Sequence, residues 1–310
     1  MALLPIPTDR AEWLALRQRH IGASEVAALF GLQADYQPGI FALWQTKAGH
    51  LPAEDIQGER LRWGLLLEEA IAQACREMRG WDVQPGVYAT HECGLGATLD
   101  RIIMSAEGME GAAPLEMKNV DMAVFMRSWK EAGEPPMHIQ LQLQAQLLAT
   151  GAQWGAVAAL VGGNRLETYI EYRRPAIQAE IIKRVSEFWR RVRENDPPAP
   201  DGSDSAFRAL VALTPELDSE PADLRDDDEA AMLAQEAVKA AEARKEAEKA
   251  EKAAKNLLLQ KIGAHRWAMI DGFKSSVRVT PDNPGRTAEP GEIVGARKGS
   301  RSLVVERYTP

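Results

Sequence analysis

The chain of 310 residues carries a formal net charge of −8, with 45% hydrophobic and 26% charged side chains, which allows one sizeable soluble core plus an appendage. No apolar run approaches the roughly 20 residues of a membrane span, and the opening MALLPIPTDR lacks the basic flank and apolar centre of a secretory signal. Cys75 and Cys93 are too few for a disulfide framework or a thiolate zinc site, so a reducing cytoplasm is expected.

Charge gives no support to a nucleic-acid partner, because residues 1–198 hold 20 Lys+Arg against 25 Asp+Glu. Residues 13–19 read as a short helix. Another starts at Ser24, placed to cap it with its hydroxyl, and ends at Gly31. Residues 40–48 and 59–79 have helical apolar spacing. The period then shortens, and residues 83–90, 97–104 and 113–118 read as strands bordered by glycine. A helix over 138–150 follows. Strands 154–161 and 166–172 form a hairpin around Gly162-Gly163-Asn164, and a helix over 175–194 closes the domain. The expected class is α/β (α+β), a central mixed sheet flanked by helices. Trp13, Trp44, Trp63, Trp154 and Trp189 are expected in the core.

Composition divides the rest. Residues 1–198 form the main domain, and the Pro- and Gly-containing stretch from Asp196 opens a linker, 199–227. Residues 228–310 hold a long Ala/Glu/Lys helix over 228–263, with pairs such as Glu248–Lys252. A small hairpin of strands 273–280 and 302–308 completes this appendage. Between those strands lies a turn-rich segment with Arg286, Arg297, Lys298 and Arg301 in or beside it.

The chemistry is concentrated in Thr98-Leu99-Asp100 and Leu115-Glu116-Met117-Lys118. Asp100 ends one strand, while Glu116 and Lys118, two apart on the next, leave the same face of the sheet. Two carboxylates from neighbouring strands suit Mg²⁺, which takes one or two carboxylates plus water and phosphate. Lys118 beside them would orient the attacking water or offset transition-state charge. Glu68, after Trp63-Gly64 on a helix, offers a third carboxylate. In the run Gln140-Leu141-Gln142-Leu143-Gln144-Ala145-Gln146, Gln142 shares a face with Gln146 and Gln140 with Gln144. At least one pair must therefore point inward and find partners.

The ordered series Leu16-Arg17, Ile21-Gly22-Ala23-Ser24-Glu25-Val26, Leu43-Trp44, Lys47-Ala48-Gly49, Trp63-Gly64 with Glu68, Thr98-Leu99-Asp100, Leu115-Glu116-Met117-Lys118 and Gln142-Leu143-Gln144 leading to Thr150-Gly151 resembles the YqaJ-type viral recombinase family. That family includes the lambda-type exonucleases of the PD-(D/E)xK superfamily. The resemblance spans residues 10–194 and implies a restriction-endonuclease-like core. It makes Asp100 and Glu116 metal ligands, Glu68 a third acid at a second metal position, Lys118 the partner of the attacking water and Gln142 a polar helper. Arg17 and Ser24 match the family's pocket for a 5′-phosphate, and a guanidinium fork with a hydroxyl at a helix N-terminus suits that task. The chain departs from the pattern in placing Arg101 after Asp100 where a small residue is common, in having no proline before Asp100, in its long Asp100-to-Glu116 gap and in His138 where an aromatic residue is frequent.

The function implied is a Mg²⁺-dependent 5′-to-3′ exonuclease, with Mn²⁺ as a substitute, acting on the ends of linear double-stranded DNA. Its 3′ overhangs would pass to a single-strand annealing protein in phage-type recombination, inside a bacterial host cell. Assembly as a homo-oligomeric ring, classically a trimer, is expected by the same resemblance. Two other readings stay open: an endonuclease or single-strand exonuclease on the same core, and a catalytically silent adaptor for DNA ends or the annealing protein that binds through residues 228–263.

Overall fold

In a computed structural model, the chain is described except for residues 1, 8, 53–57, 215, 217–219, 272, 281–285, 290, 291, 295–299 and 308–310. It divides into two units, residues 1–217 and 218–310. The first unit runs through β1 (Ala2–Leu4), α1 (Arg10–Gln18), β2 (Ile21–Gly22), a 3-10 helix (Ala23–Phe30), α2 (Ile40–Lys47), α3 (Glu59–Arg79), β3 (Asp82–Pro85), β4 (Tyr88–His91), β5 (Leu95–Thr98) and β6 (Arg101–Ser105). It continues through β7 (Ala113–Val120), α4 (Met122–Ser128), α5 (Met137–Thr150), β8 (Trp154–Val161), β9 (Arg165–Tyr172), α6 (Pro175–Arg193) and α7 (Asp204–Leu213).

A five-stranded mixed sheet in the order β3-β6-β7-β8-β9 forms the centre, with β7 and β8 parallel and the other neighbours antiparallel. Alternation along β7 and β8 divides its two faces. Leu115, Met117, Ala156 and Ala158 meet Ile71, Ala72 and Cys75 of α3. On the opposite face, Val120, Val157, Ala159 and Val161 pack with Leu143 of α5 and Phe125 of α4. Gly155 lets α5 come close, because a Cβ there would lie 2.9 Å from Leu143 Cδ1 and 3.2 Å from Leu147 Cδ2. This is the expected central mixed sheet flanked by helices.

A second, four-stranded sheet in the order β1-β4-β5-β2 was not read from the sequence. The stretches 83–90 and 97–104, read as single strands, each break in two. β3 and β6 pair in the central sheet, and β4 and β5 pair in the second. Both chains change sheet together at Gly86 and at Leu99–Asp100, where the Leu99 N–H donates to the Val87 carbonyl over 2.9 Å. A Cβ on Gly86 would fall 1.7 Å from the Leu99 carbonyl oxygen. Only glycine permits that approach, and it occurs one residue before Asp100.

Other differences are local. Helix α4, absent from the sequence reading, is capped by Asp121, whose carboxylate accepts from the Ala123 N–H over 2.8 Å. Trp44 and Trp154 are buried as expected, but Trp63 is 52% exposed. Within the stretch read as linker, α7 packs Ala206 and Ala209 beside Phe41, and the Gly39 N–H donates to Ser205 Oγ over 2.8 Å. Two apolar anchors and one hydrogen bond hold this helix on the first unit despite the Pro-rich stretch before it.

The second unit holds α8 (Asp228–Ile262), β10 (Trp267–Ile270), β11 (Phe273–Thr280), β12 (Arg286–Glu289), β13 (Glu292–Val294) and β14 (Ser300–Arg307). Strands β10-β11-β14 form an antiparallel sheet, and β12 pairs with β13. The long helix is exposed along most of its length, with Ile262 buried at its end. Charge pairs lace its surface, although Glu248 meets Arg244 (3.4 Å) rather than the expected Lys252. Of the four basic residues singled out in the turn-rich segment, Arg286 lies on β12 and Arg301 on β14, while Arg297 and Lys298 fall outside the described residues. No helix among the described residues is long and apolar enough to cross a membrane.

Candidate active site

The antiparallel ladder of β6 and β7 pairs Arg101 with Leu115 and Ile102 with Pro114. One further step sets Asp100 beside Glu116, at the point where the chain leaves one sheet for the other. Asp100 Oδ2 accepts the Met117 N–H over 2.7 Å, which fixes one acid against the strand that carries the other. Glu116 and Lys118 share the α5 face, as the spacing of two predicts, and Lys118 Nζ donates to Glu116 Oε1 over 2.5 Å.

Helix α5 completes the cluster. Lys118 Nζ donates to Gln142 Oε1 over 3.2 Å, and Gln146 Nε2 donates to Glu116 Oε2 over 2.5 Å. Gln142 thus stands where it was expected, holding the ammonium. Gln146, to which the sequence reading gave no role, holds the carboxylate. Its one available clue was the four-residue spacing from Gln142. Gln146 is fully buried and its Oε1 has no hydrogen-bond partner. Turning the amide over would satisfy that oxygen no better and would set it against Glu116, so the carboxylate dictates its orientation. The other glutamine pair serves the fold: Gln140 donates to the Pro135 carbonyl (2.7 Å) and Gln144 to the Tyr172 carbonyl (2.8 Å).

The field of the cluster follows from a buried acid, Glu116, and a half-buried one, Asp100, facing one ammonium. Burial, followed by the Glu116 charge, pushes the Asp100 carboxyl well above its ordinary range, against the opposing pull of Lys118 and the Met117 N–H. Burial by itself would lower Lys118, but Glu116 and Asp100 outweigh it and raise its pKa. His138, half-buried, is lowered by burial and by the Lys118 charge, which favours its neutral form. The surplus negative charge and the all-oxygen donors of Asp100 and Glu116 fit a hard divalent cation such as Mg²⁺.

Glu68, expected as a third acid near a second metal position, stands beside Arg101 and near enough to Asp100, Glu116 and Lys118 for their charges to act on one another. Helix α3 lies on the opposite face of the central sheet from Glu116, and Glu68 reaches Arg101 first, accepting from Nη1 over 3.4 Å. Burial raises the Glu68 carboxyl, although Arg101 pulls it down. Glu69, two-thirds exposed, takes Arg101 Nη2 over 3.1 Å and Arg76 Nη1 over 2.8 Å. Among the described residues, no three His, Cys, Asp or Glu side chains gather as a ready cation cage.

A second polar cluster surrounds Arg17. Its Nη2 donates to Glu25 Oε1 over 2.9 Å, and its guanidinium lies 4.7 Å from the centre of the Trp13 ring. Lys47 Nζ contacts Glu25 Oε2 at 2.8 Å and donates to the Arg17 carbonyl over 2.9 Å. Burial pushes Glu25 up, but Lys47 and Arg17 overcome it and lower its pKa. Two cations thus stand against one carboxylate. The cap expected of Ser24 falls to Glu25, which accepts the Gly22 N–H over 2.7 Å. The reason is that Ile21 and Gly22 are held extended by parallel pairing with Leu95 and Gly96, so the helix begins at Ala23 and Ser24 lies inside its first turn. Lys47 belonged to the sequence motif without a role, and its ion pair could not be read from spacing.

Residues 12–153 match the family model described as the YqaJ-like viral recombinase domain. The protein YqaJ of Bacillus subtilis (strain 168), itself uncharacterized, is 29% identical over 208 residues, or 65% of this chain. That match spans 62% of the relative's own length. Among solved structures, LHK-Exo in complex with dAMP is similar with a TM-score of 0.50 and 22% identity, covering 60% of this chain and 94% of that one. The alkaline exonuclease LHK-Exo from Laribacter hongkongensis is similar at the same TM-score and coverage with 20% identity. At such identities the likeness of these structures concerns the fold.

Proposed function

We propose that this chain, whose residues 12–153 match the model of the YqaJ-like viral recombinase domain, is a divalent-metal-dependent exonuclease that digests the 5′-ended strand of linear duplex DNA and leaves a 3′ overhang. The observation that carries the reading is the meeting of Asp100, Glu116 and Lys118 at the junction of two sheets. The nuclease fold and the name of the similar alkaline exonuclease support it. Asp100 and Glu116 are the residues that would hold Mg²⁺, with Mn²⁺ as a substitute. Bound there, the cation supplies Lewis-acid charge for the phosphodiester and for the attacking water.

The side chains divide the remaining work. The Met117 N–H holds Asp100, and Gln146 fixes the rotation of the Glu116 carboxylate. Lys118, steadied by Gln142, offers its ammonium to the charge that develops on the phosphate oxygens. Arg17 and Lys47, with Ser24 at the neighbouring helix end, form the proposed seat for the 5′-phosphate. The net positive charge of the Arg17–Glu25–Lys47 group favours such an anion. A ring-shaped homo-oligomer would keep an acidic protein on its DNA by topology. The C-terminal unit is proposed to dock the annealing protein, guide DNA or mediate assembly.

The direct test is digestion of 5′-phosphorylated linear, nicked and closed circular duplexes with Mg²⁺ or with chelator. Metal-dependent loss of the linear substrate, with the 3′-ended strand surviving, is expected. Cleavage of closed circles would instead make the protein an endonuclease. Replacement of Arg17 by Ala removes a charge-assisted hydrogen-bond donor worth about 1.5–3 kcal/mol. The preference for a 5′-phosphate over a 5′-hydroxyl end should fall about 10-fold or more, while the Mg²⁺ requirement stays unchanged. The variant Gln146→Leu frees the Glu116 carboxylate, and the Mg²⁺ concentration for half-maximal cleavage should rise roughly 10–100-fold, as when a group behind a metal ligand is lost. An unchanged Mg²⁺ titration would remove Gln146 from the account.

A further inference from the structure

The position after Asp100 carries a large cation, and its contacts take up two acids of α3, Glu68 and Glu69. Arg101 opens β6 opposite Leu115, whose side chain belongs to the α3 face of the sheet. Its guanidinium spans the gap to α3, with Nη1 facing Glu68 at 3.4 Å and Nη2 facing Glu69 at 3.1 Å. Nη1 also donates to the Asp100 carbonyl over 2.7 Å. The side chain is only 18% exposed, so the charge is fixed in place rather than waving in solvent. Glu116 lies on the other face, tied to Lys118 and Gln146.

We propose that the site takes a single divalent cation, held by Asp100 and Glu116, and that Arg101 supplies a built-in positive charge where Glu68 would otherwise help to hold a second ion. The inference rests on the nuclease reading of Asp100 and Glu116 and adds a stoichiometry to it. Its physical basis is competition for one carboxylate. A guanidinium anchored by a backbone carbonyl and two acids is already paid for in conformational entropy, whereas an incoming Mg²⁺ must shed tightly held water. A second cation would also stand close to the fixed Arg101 charge and be repelled by it. Glu68 thus becomes a positioning residue for Arg101, and Arg101 sets the number of ions.

The test is a titration of the full-length protein with Mn²⁺ alone, followed by the electron paramagnetic resonance of the free ion. One bound ion per chain is expected for the wild type, two for Arg101→Gly, and one again for Arg101→Gly combined with Glu68→Gln. In the wild-type background Glu68→Gln should leave the single site intact, with Mn²⁺ affinity changed by less than about 3-fold, and this variant keeps the test valid should Arg101→Gly fail to fold. Two ions in the wild type, one in folded Arg101→Gly, or loss of the wild-type site in Glu68→Gln would each overturn the inference while leaving the nuclease reading standing. Failure of every form to bind Mn²⁺, with cleavage untouched by chelator, would overturn both.

Discussion

Replacing Asp100 with Asn is expected to abolish cleavage and, in the absence of metal, to make the protein more stable. Asn keeps an oxygen for the Met117 N–H, which Asp100 now accepts over 2.7 Å, so the local backbone has no reason to move. What disappears is a half-buried charge beside Glu116. Loss of a ligand that supports several kcal/mol of transition-state stabilisation should lower the rate by about 10³-fold or more. The stability effect has a definite sign. A carboxyl whose folded pKa lies above its ordinary value near 3.8 favours the folded state while protonated, and that contribution is lost as pH rises through the folded pKa. Above that folded pKa, with chelator present, the wild type therefore carries an ionised, repelled acid that Asn lacks. A gain of about 1 kcal/mol, roughly 2–4 °C in the thermal midpoint, is expected. The two melting curves should converge as pH falls through the raised folded pKa. A variant less stable than wild type above that pKa would show that Asp100 serves the fold rather than a cation.

The largest structural effect should come from a residue that touches no substrate. In Gly86→Ala the new methyl group would sit 1.7 Å from the Leu99 carbonyl oxygen, 2.7 Å from its carbon and 2.9 Å from the Asp100 carbonyl oxygen. These are backbone atoms, so no side-chain rotation relieves the clash and the crossing strands must separate. A loss of about 3 kcal/mol is expected, at the upper end for overpacking. Leu99 precedes Asp100 directly, so the displacement also tilts the acid away from Glu116. Urea unfolding and cleavage by the folded fraction would read the two effects separately. Unchanged values of both would contradict the close crossing at Gly86 and Leu99.

The residues that define the site were legible because one rule of covalent geometry applies to them. Side chains two apart on a strand share a face, so Glu116 and Lys118 had to emerge together, and a neighbouring strand ending in Asp100 had to lie near them. The same rule says nothing about which face of the sheet a helix covers. Glu68 was expected as a third acid, and its ion pair with Arg101 from α3 could not be read from that rule. Apolar alternation is likewise blind to a strand that changes sheets. Residues 83–90 and 97–104 kept their strand character and still split in two, at the crossing that positions Asp100. Helical spacing showed that Gln142 and Gln146 point the same way, but only the close approach of α5 over Gly155 lets both touch the site. Ser24 was misplaced because the short strand ends at Gly22, paired with Gly96, and the helix opens at Ala23, ahead of the expected cap. Trp63 shows the limit of composition: a large aromatic residue in a helical stretch was expected inside and is 52% exposed.

Crystals soaked in Mn²⁺ would show whether Asp100 and Glu116 form the one cation-binding centre proposed for them. Anomalous scattering recorded at the manganese edge should give a peak within coordination distance of a carboxylate oxygen from each residue, with Lys118 alongside. Manganese bound elsewhere, with the two carboxylates still closed on Lys118, Gln146 and the Met117 amide, would contradict the account.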